Sequence, residues 1–388
     1  MREVLLDGRP PAVAELTAAL TAALDGSGPV VLPLDAAGAQ LAEQRAAVAP
    51  DQPVEPDTAL IISTSGSTGA AKGVLLSAGA LIASADATHA RLGGPGRWLV
   101  ATPTQYIGGV QVLVRSLRAG TTPGVVDLSV PFRAEGFADA AKPVLVGSGP
   151  WYTAMVPTQL AQLLAEGGVG LAALRSFDAV IIGAAALSAR LADRAAAARV
   201  RVVRAYGMSE TASGCVYDGR PLDGVRVRLT GDAGRVEIAG PVLANGYRRD
   251  PELTAKSFVD DWFVTGDAAV RHADGRIEIL GRTDDLINTG GVKVAPVLVE
   301  RVLAALPGVR EACVVAVPDD RWGQAVVAAI VPTEPGALPA EDDLRAAVRA
   351  EVGRAAVPKR FTVRPALPLR GPGKIDRAAV RAWFTRPS

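Results

Sequence analysis

The 388-residue sequence contains only two histidines, His89 and His272, and only two cysteines, Cys215 and Cys313. Two histidines leave little material for a zinc site or for Ser-His-Asp chemistry. The cysteines lie far apart and form neither a CxxC pair nor a metal-like spacing. This favours buried, reduced thiols in a reducing compartment.

The sequence also lacks a charge excess and a long apolar run. Its 41 basic and 40 acidic residues nearly cancel, which argues against nucleic acid or an anionic membrane as a partner. No apolar stretch approaches the ~20 residues that a membrane helix needs. Arg2, Glu3 and Asp7 interrupt the amino terminus in a way that a secretory signal would not. We therefore expect a cytoplasmic protein.

The pattern of apolar residues predicts the fold class. Strand-like and helix-like segments alternate from about residue 28 to residue 206, which predicts an α/β layer with largely parallel strands. Period-two alternation over about 219–281 predicts a small antiparallel β-unit. Helical patterns at 295–306 and 341–352 flank two strand-like runs. We therefore expect an α/β protein with a large domain over residues 1–283 and a small α+β domain over residues 284–388.

A segment rich in serine, threonine and glycine, IISTSGSTGAAKGVLLS, runs from Ile61 to Ser77. Hydroxyls and exposed backbone N–H groups can surround phosphate oxygens, and Lys72 adds a cation. The spacing excludes a Walker A loop, because Ala71 precedes Lys72 and Gly73 follows it, where that motif has glycine and a hydroxyl. A flexible linker is the alternative, but apolar runs on both sides anchor the segment.

Five segments resemble, in order, the motifs of the acyl-adenylate-forming enzymes, a family of acyl-CoA ligases, peptide-synthetase adenylation domains and luciferases. They are STSGSTGAAKG (63–73), AYGMSET (205–211), WFVTGDAA (262–269), GRTDDLINTGGVKVAPVLVE (281–300) and LPLRGPGKIDR (367–377). Ala71 replaces the usual proline and Ser209 the usual threonine. One such motif would be a weak signal, whereas five in order form a specific one.

The resemblance implies a two-step ligase that uses ATP, Mg²⁺ and coenzyme A. A carboxylate would attack the α-phosphate of ATP and release pyrophosphate, and a thiol would then displace AMP. A carboxylate with a pKa of about 4 is already ionised at neutral pH and needs no general base. The first step therefore requires charge neutralisation and positioning. The small domain would be mobile and swing between the two steps.

The resemblance also assigns roles to individual residues. Lys374 would bridge the substrate carboxylate and the α-phosphate, Glu210 would hold Mg²⁺, and Ser209 would donate to the α-phosphate. Asp284 would be the hinge. The remaining nucleotide and coenzyme A contacts would be Ser63, Thr64, Ser65, Gly66, Ser67, Thr68, Gly69 and Lys72 at the phosphates, Gly183, Ala184, Tyr206 and Gly207 near the adenine, Asp267 and Arg282 at the ribose, and Gly290 and Gly291 along the pantetheine tunnel. A core tyrosine at 206 and a solvated acid at 210 are the alternatives.

The choice of acid depends on the window from Ala87 to Val126, which contains no Asp or Glu. Enzymes that adenylate amino acids normally place a carboxylate there, so that subclass is disfavoured. Arg115 and Arg118 lie in the window, and an arginine that faces the pocket would suit a second substrate carboxylate. The solvent face of a helix is the alternative for either one. The predicted substrate contacts are Tyr106, Gly108, Arg115 and Ala185.

Residues 102–117 and 148–164 resemble the o-succinylbenzoate–CoA ligases of menaquinone biosynthesis, particularly those of high-GC actinobacteria. The composition, rich in Ala, Arg, Gly and Val, and the short segment before the phosphate loop agree. The resemblance implies an aromatic dicarboxylic acid as substrate, and it allows a homodimer. The alternatives are an aryl- or acyl-CoA ligase for another acid, a carrier-protein-loading enzyme, and an inactive adenylate-binding protein. Lys72, Glu210 and Lys374 argue against the last.

Overall fold

A computed structural model describes residues 1–36, 39–65, 71–231, 234–369 and 375–385. The helices in this part of the chain are α1 (Pro10–Leu24), α2 (Ala39–Val48), α3 (Ala78–Leu92), α4 (Ile107–Arg118), α5 (Ala134–Ala141), α6 (Pro157–Glu166), α7 (Gly168–Ser176), α8 (Ala189–Ala197), α9 (Pro251–Ser257), α10 (Pro296–Ala305), α11 (Glu341–Glu351) and α12 (Arg377–Thr385).

The strands are mostly short. They are β1 (Arg2–Leu6), β2 (Val31–Asp35), β3 (Leu60–Ser65), β4 (Ala71–Leu76), β5 (Arg97–Val100), β6 (Gly124–Val125), β7 (Trp151–Met155), β8 (Ala179–Ile182), β9 (Val202–Met208), β10 (Ser213–Tyr217), β11 (Arg220–Pro221), β12 (Arg226–Thr230), β13 (Arg235–Ala239), β14 (Gly246–Tyr247), β15 (Phe258–Val259), β16 (Trp262–Arg271), β17 (Ile277–Arg282), β18 (Ile287–Thr289), β19 (Val292–Val294), β20 (Val309–Asp319), β21 (Gly323–Pro332) and β22 (Arg360–Val363).

The chain divides into two compact units. The first comprises Met1–Leu187, Arg194–Val227 and Glu237–Val264, and the second comprises Ser188–Asp193, Arg228–Val236 and Thr265–Ser388. The predicted division between residues 283 and 284 stays a prediction. In the described part of the chain, no helix combines the length and the apolar character needed to cross a membrane.

The largest sheet of the first unit has the strand order β11-β10-β9-β8-β7-β5-β6. The pairs from β6 through β9 are parallel, and β10 and β11 add an antiparallel edge. Trp98 of β5 and Tyr152 of β7 are fully buried, and their ring centroids lie 4.9 Å apart. The predicted α/β layer with parallel strands is therefore confirmed.

A second sheet of the first unit has the order β1-β2-β3-β4-β14. Strands β1, β2 and β3 are parallel, whereas β3 and β4 form an antiparallel pair in which Leu60 faces Leu76 and Ser65 faces Ala71. Ile61, Ile62, Val74 and Leu75 are all buried, and because successive side chains of a strand point to opposite faces, both faces of this strand pair are covered. The predicted phosphate loop thus joins two antiparallel strands.

Within the region after residue 219, strands β15, β16 and β17 are antiparallel, as predicted. A third sheet has the order β12-β13-β16-β15, with β17 paired to β16, and the pairs β15–β16 and β16–β17 are both antiparallel.

The second unit contains the predicted α+β fold at its carboxyl end. Its sheet has the order β19-β18-β21-β20, and β22 pairs in parallel with β21. Helix α10 begins at Pro296, a residue suited to the first turn, and α11 has three acids in its first turn. Val299 and Leu303 of α10 and Leu344 and Val348 of α11 share one buried cluster with the sheet. The fold class predicted from the sequence is confirmed.

Both cysteines are buried free thiols. Burial raises the pKa of each to about 12, so neither supplies a thiolate at neutral pH.

Candidate active site

Several predicted site residues of the first unit follow the carboxyl ends of neighbouring parallel strands. Tyr106 and Gly108 follow β5, Gly183 follows β8, and Glu210 follows β9. The carboxyl ends of parallel strands meet at one edge of a sheet, where α/β proteins bind ligands. The topology therefore brings these segments to one edge of the largest sheet.

The hairpin of β3 and β4 places Thr64 opposite Lys72 and Ser63 opposite Gly73. The Thr64 hydroxyl donates to the Lys72 carbonyl at 3.4 Å. A Cβ on Gly73 would lie 2.9 Å from Cβ of Arg248 and 3.1 Å from the Ile61 side chain. Close packing of β4 thus accounts for the glycine after the lysine. Gly66, Ser67, Thr68, Gly69 and the side chain of Ser65 lie outside the described residues.

Lys72 and Glu210 form an ion pair in which Nζ donates to Oε1 at 2.9 Å. The Tyr247 hydroxyl donates to the same oxygen, also at 2.9 Å. Nζ of Lys72 also lies 4.0 Å from the centre of the Tyr247 ring, within the range of a cation–π contact. The side chain of Glu210 is 10% exposed and that of Lys72 is 28% exposed. A cation and an acid are therefore held together, partly open to solvent.

A 3-10 turn over Ser209–Thr211 sets the direction of Glu210. The Thr211 hydroxyl accepts from the Met208 amide at 3.0 Å and lies 2.7 Å from the Ser213 carbonyl, to which it donates. Ser209 and Glu210 are buried. The Thr211 hydroxyl thus provides hydrogen-bond partners for the backbone groups of this turn, which is a structural reason for the threonine at the end of the motif AYGMSET.

The predicted adenine-side residues lie on or after two strands of the same sheet. Tyr206 is half-buried on β9, opposite Val216. A Cβ on Gly207 would lie 2.0 Å from the Ser213 carbonyl, so the close approach of β10 requires glycine there. Gly183 directly follows β8, and the exposed Ala184 adopts a left-handed φ of 66°. Such a backbone is uncommon outside glycine and clusters at functional sites.

The predicted substrate contacts Tyr106, Gly108 and Ala185 are accessible. Tyr106 is 38% exposed and directly precedes the first residue of α4, and Ala185 is half-buried. A Cβ on Gly108 would meet nothing within 4 Å, whereas one on Gly109 would lie 2.4 Å from the Pro103 carbonyl. Packing thus requires glycine at 109, and Gly108 has space beside it.

Arg115 differs from the other predicted substrate contacts, because it is 2% exposed. It donates from Nη2 to the Tyr217 hydroxyl at 3.4 Å, and its guanidinium lies 5.1 Å from the Trp98 ring. Nε has no hydrogen-bond partner. Burial lowers the pKa of Arg115, and the nearby Tyr217 offsets part of that effect. This placement counts against direct contact between Arg115 and a substrate.

Arg118, the other candidate arginine for the second carboxylate, forms a bidentate ion pair with Asp86 of α3. Nε donates to Oδ1 at 3.0 Å and Nη2 donates to Oδ2 at 3.1 Å. This pair raises the pKa of Arg118. Asp86 lies one residue before the acid-free window. The window therefore did not include the carboxylate that pairs with Arg118 in the folded protein.

The second unit holds the predicted ribose and hinge residues. Asp267 faces Arg282 across β16 and β17, with Oδ1 and Nη1 3.7 Å apart. The Asp267 amide donates to the Thr265 hydroxyl at 3.0 Å. Asp284 lies in a 3-10 turn over Thr283–Asp285, directly after β17.

Gly290 and Gly291 form the two-residue turn between β18 and β19, with φ values of 60° and 83°. Two consecutive positive φ values are the mark of a type I′ hairpin turn and account for both glycines. A Cβ on Gly290 would lie 2.6 Å from Trp322, whereas one on Gly291 would meet nothing within 4 Å. The hairpin turn is therefore a structural reason for both glycines, and their role in the pantetheine tunnel stays a prediction. Lys374 lies outside the described residues.

The donor set at Glu210 fits a Mg²⁺ ion that is shared with phosphates. Mg²⁺ prefers oxygen ligands and is commonly held by one or two carboxylates together with substrate phosphates. Within the described ranges, no three His, Cys, Asp or Glu side chains lie close enough to hold an ion by themselves. Glu210 offers one carboxylate, whose Oε1 already has two donors.

Comparison with known proteins identifies the family. The AMP-binding enzyme family matches residues 5–247, and the AMP-binding enzyme C-terminal domain matches residues 298–374. The chain belongs to the AMP-binding enzyme family. The resemblance inferred from the five motifs is therefore confirmed.

Three relatives illustrate the range of similarity. A probable 2-succinylbenzoate–CoA ligase of Mycobacterium tuberculosis (strain CDC 1551 / Oshkosh) is 44% identical over 376 residues, which are 96% of each chain. The structure of the amide bond synthetase McbA from Marinactinospora thermotolerans has a TM-score of 0.76 at 29% identity, covering 97% of this chain and 78% of that one. The o-succinylbenzoate CoA synthetase of Bacillus subtilis, in complex with its acyl-adenylate, has a TM-score of 0.74 at 24% identity, covering 96% and 81%. At that identity the last comparison supports the fold alone.

Sequence reasoning missed Tyr247 and Arg248, which lie beside Lys72 and Gly73 through the pairing of β14 with β4. The segment ANGYRRDPE contains a turn signal but no motif used above. The sequence feature that could have pointed to these two residues is the combination of an aromatic residue and two arginines in a turn-rich segment.

Proposed function

We propose that this chain is an AMP-forming ligase that joins o-succinylbenzoate to coenzyme A through an acyl-adenylate, as a step of menaquinone biosynthesis. The single observation that carries the proposal is the 44% identity, over 96% of both chains, to a probable 2-succinylbenzoate–CoA ligase. The Lys72–Glu210 pair supports it, because it supplies the charges that such chemistry needs.

Adenylation under this proposal depends on charge and positioning. The substrate carboxylate is already ionised, so the barrier lies in bringing it against a polyphosphate of the same sign. Lys72, on β4 beside the phosphate loop, would turn from Glu210 to the phosphates of ATP. Ser209 would donate to the α-phosphate, and Lys374 would bridge that phosphate and the carboxylate.

Glu210 would hold Mg²⁺ against the phosphates, and Mg²⁺ would supply further neutralisation of their charge when bound. Asp267 would accept from the ribose hydroxyls, with Arg282 beside it. The small domain would swing about Asp284, and coenzyme A would reach the adenylate along Gly290 and Gly291. These assignments, a cytoplasmic location and a homodimer are proposals that rest on the family resemblance.

The proposed acid has two carboxylates, only one of which reacts. The edge of the sheet next to Tyr106, Gly108 and Ala185 offers accessible surface with small residues, which suits a flat aromatic ring. Because Arg115 is buried and Arg118 is paired with Asp86, we assign the non-reacting carboxylate to neither of these two arginines.

The test is a panel of acids offered to the purified protein with ATP, Mg²⁺ and coenzyme A. The panel contains o-succinylbenzoate, its analogue without the ring carboxylate, ferulate and a medium-chain fatty acid. Pyrophosphate, AMP and the CoA thioester are measured for each. We expect o-succinylbenzoate to give the highest catalytic efficiency, by at least about tenfold, and equal amounts of AMP and thioester.

A higher efficiency with ferulate or the fatty acid would contradict the proposed acid and retain the ligase. If pyrophosphate release requires the acid but no CoA thioester forms, the acyl group is transferred to an acceptor other than coenzyme A. The Glu210→Gln variant is the control for nucleotide chemistry, since it keeps the size of the side chain and removes its charge.

A further inference from the structure

Tyr247 contacts both charged groups of the proposed nucleotide site, although it belongs to none of the five motifs. Its hydroxyl donates to Oε1 of Glu210 at 2.9 Å, and its ring centre lies 4.0 Å from Nζ of Lys72. Lys72 donates to the same oxygen at 2.9 Å. One carboxylate oxygen therefore accepts from a neutral donor and from a lysine on a flexible stem.

The fold fixes Tyr247 in place. It pairs with Val74 of β4, two residues beyond Lys72, and its amide donates to the Thr254 hydroxyl at 2.9 Å. Its ring is buried and packs edge-on against Phe258 with centroids 5.9 Å apart. The hydroxyl thus projects from a side chain whose backbone and ring are both anchored.

Arg248, the next residue, secures the same strand pair. Its amide donates to the Gly73 carbonyl at 2.8 Å, and its buried guanidinium donates to Glu55 at 2.6 Å. The same guanidinium also donates to the carbonyls of Val48, Ala49, Gln52 and Pro53. A charged group with this many partners holds β14 against β4 beside Lys72.

The proposed reaction requires the Lys72–Glu210 pair to separate. The lysine would turn to the phosphates and the carboxylate would hold the metal, so the two side chains could not remain paired with each other. The Glu210 side chain is mostly buried, and a buried carboxylate that loses a donor is poorly solvated. The Tyr247 hydroxyl is the donor that need not move.

We propose that Tyr247 is a positioning residue for Mg·ATP, an inference that rests on the proposed nucleotide chemistry. Its hydroxyl keeps the Glu210 carboxylate oriented while Lys72 exchanges that carboxylate for phosphate, and its ring supports the lysine before the exchange. The hydroxyl therefore acts on the metal-dependent part of ATP binding. Binding of ATP without metal does not use the oriented carboxylate.

The test is calorimetric titration of the Tyr247→Phe variant, which keeps the ring and removes the hydroxyl. ATP is added without any acid, once with Mg²⁺ and once with EDTA. A hydrogen bond to a charged group contributes more than one between neutral groups. Allowing for partial replacement by water, we expect the Kd of Mg·ATP to rise about 5- to 20-fold. The Kd of ATP in EDTA should change by less than about twofold.

Tyr152→Phe is the matched control, because it also removes a buried tyrosine hydroxyl, one that donates to the carbonyls of Leu92 and Gly94. It should lower the melting temperature and leave both Kd values unchanged. An equal rise of both Kd values in Tyr247→Phe, or no rise in either, would overturn the inference. Wild-type protein that binds no Mg·ATP would overturn it together with the proposed function. Failure of o-succinylbenzoate as a substrate would refute the proposed acid alone, since the titrations contain none.

Discussion

Replacing Arg115 by methionine tests whether this guanidinium serves the substrate or the fold. Arg115 lies eight residues after the start of α4 at Ile107, which is about 12 Å along the helix axis from the end that carries Tyr106. Its described contacts are Tyr217 and Trp98. Among the described residues, no carboxylate forms an ion pair with it.

The structure gives the expected magnitude. Replacement of a buried ion pair by apolar residues is often neutral or stabilising by about 1–4 kcal/mol, and removal of Arg115 leaves no described carboxylate without its ion-pair partner. Methionine retains much of the volume, and the Tyr217 hydroxyl keeps its contact with Thr88 at 3.2 Å. We therefore expect Arg115→Met to raise the free energy of unfolding by up to about 3 kcal/mol or to leave it unchanged. Arg115→Ala also opens a cavity and should lower it by about 2–4 kcal/mol.

The assay pairs urea denaturation with the kinetics of thioester formation. For Arg115→Met, kcat/KM should change by less than about threefold with o-succinylbenzoate and with its analogue lacking the ring carboxylate. Direct contact between Arg115 and the second carboxylate would instead be worth about 2–5 kcal/mol. A loss of about 30-fold or more with o-succinylbenzoate alone would refute the structural interpretation and restore the contact predicted from the sequence.

Three further predictions concern other residues. Lys374→Ala should reduce adenylate formation by about two to four powers of ten and spare thioester formation from pre-made adenylate; equal loss in both steps would contradict the assignment. Gly291→Trp should block thioester formation and spare pyrophosphate release, whereas Gly291→Asn, with the same strained φ of 83° but little bulk, should spare both. Burial, assisted by Arg115, lowers the pKa of His89 from 6.5 to about 4, so the unfolded chain binds the extra proton and stability falls as pH drops below 6.5. The free energy of unfolding should be about 2 kcal/mol lower at pH 5 than at pH 8 because of this group. In His89→Gln, the difference between the free energies measured by denaturation at the two pH values should be smaller by that amount. An unchanged difference would show that His89 does not titrate in this way.

Among the strand-like segments of the alternating region, ALIIST, RWLVATP, DAVIIGA and VRVVRAYG correspond to β3, β5, β8 and β9, and each is an apolar run bounded by turn residues. The sequence pattern did not predict β7, whose Trp, Tyr, Thr, Ala and Met mix strand and helix preferences. It also missed α3, where alanine and small polar residues leave little contrast between faces. Tyr247 was out of reach for another reason. Its strand has two residues, and its partner β4 lies far away along the chain, so local pattern gives no sign of the contact.

Arg115 shows the limit of a pattern that is read on one helix. Nearly every residue of α4 from Ile107 to Ser116 is buried. The run VQVLV, with only one polar residue, indicated a helix without a solvent face. An arginine that ends such a run has no exposed side to occupy. From the sequence, we considered only a substrate pocket or the solvent face of a helix for Arg115. The side chain lies in a third environment, the protein interior.

The hairpin also explains why lysines carry so much of the proposed chemistry. In a Walker A site the loop leads into a helix, whose amino end adds partial positive charge at the phosphates. Here the loop leads into β4, and packing against Arg248 and Ile61 puts Gly73 where that motif has a hydroxyl. A strand supplies no such dipole. Compensation of the phosphate charge must then come from side chains and Mg²⁺, which is why we expect the loss of Lys72 or Lys374 to be far more damaging than the loss of any single hydroxyl in the loop.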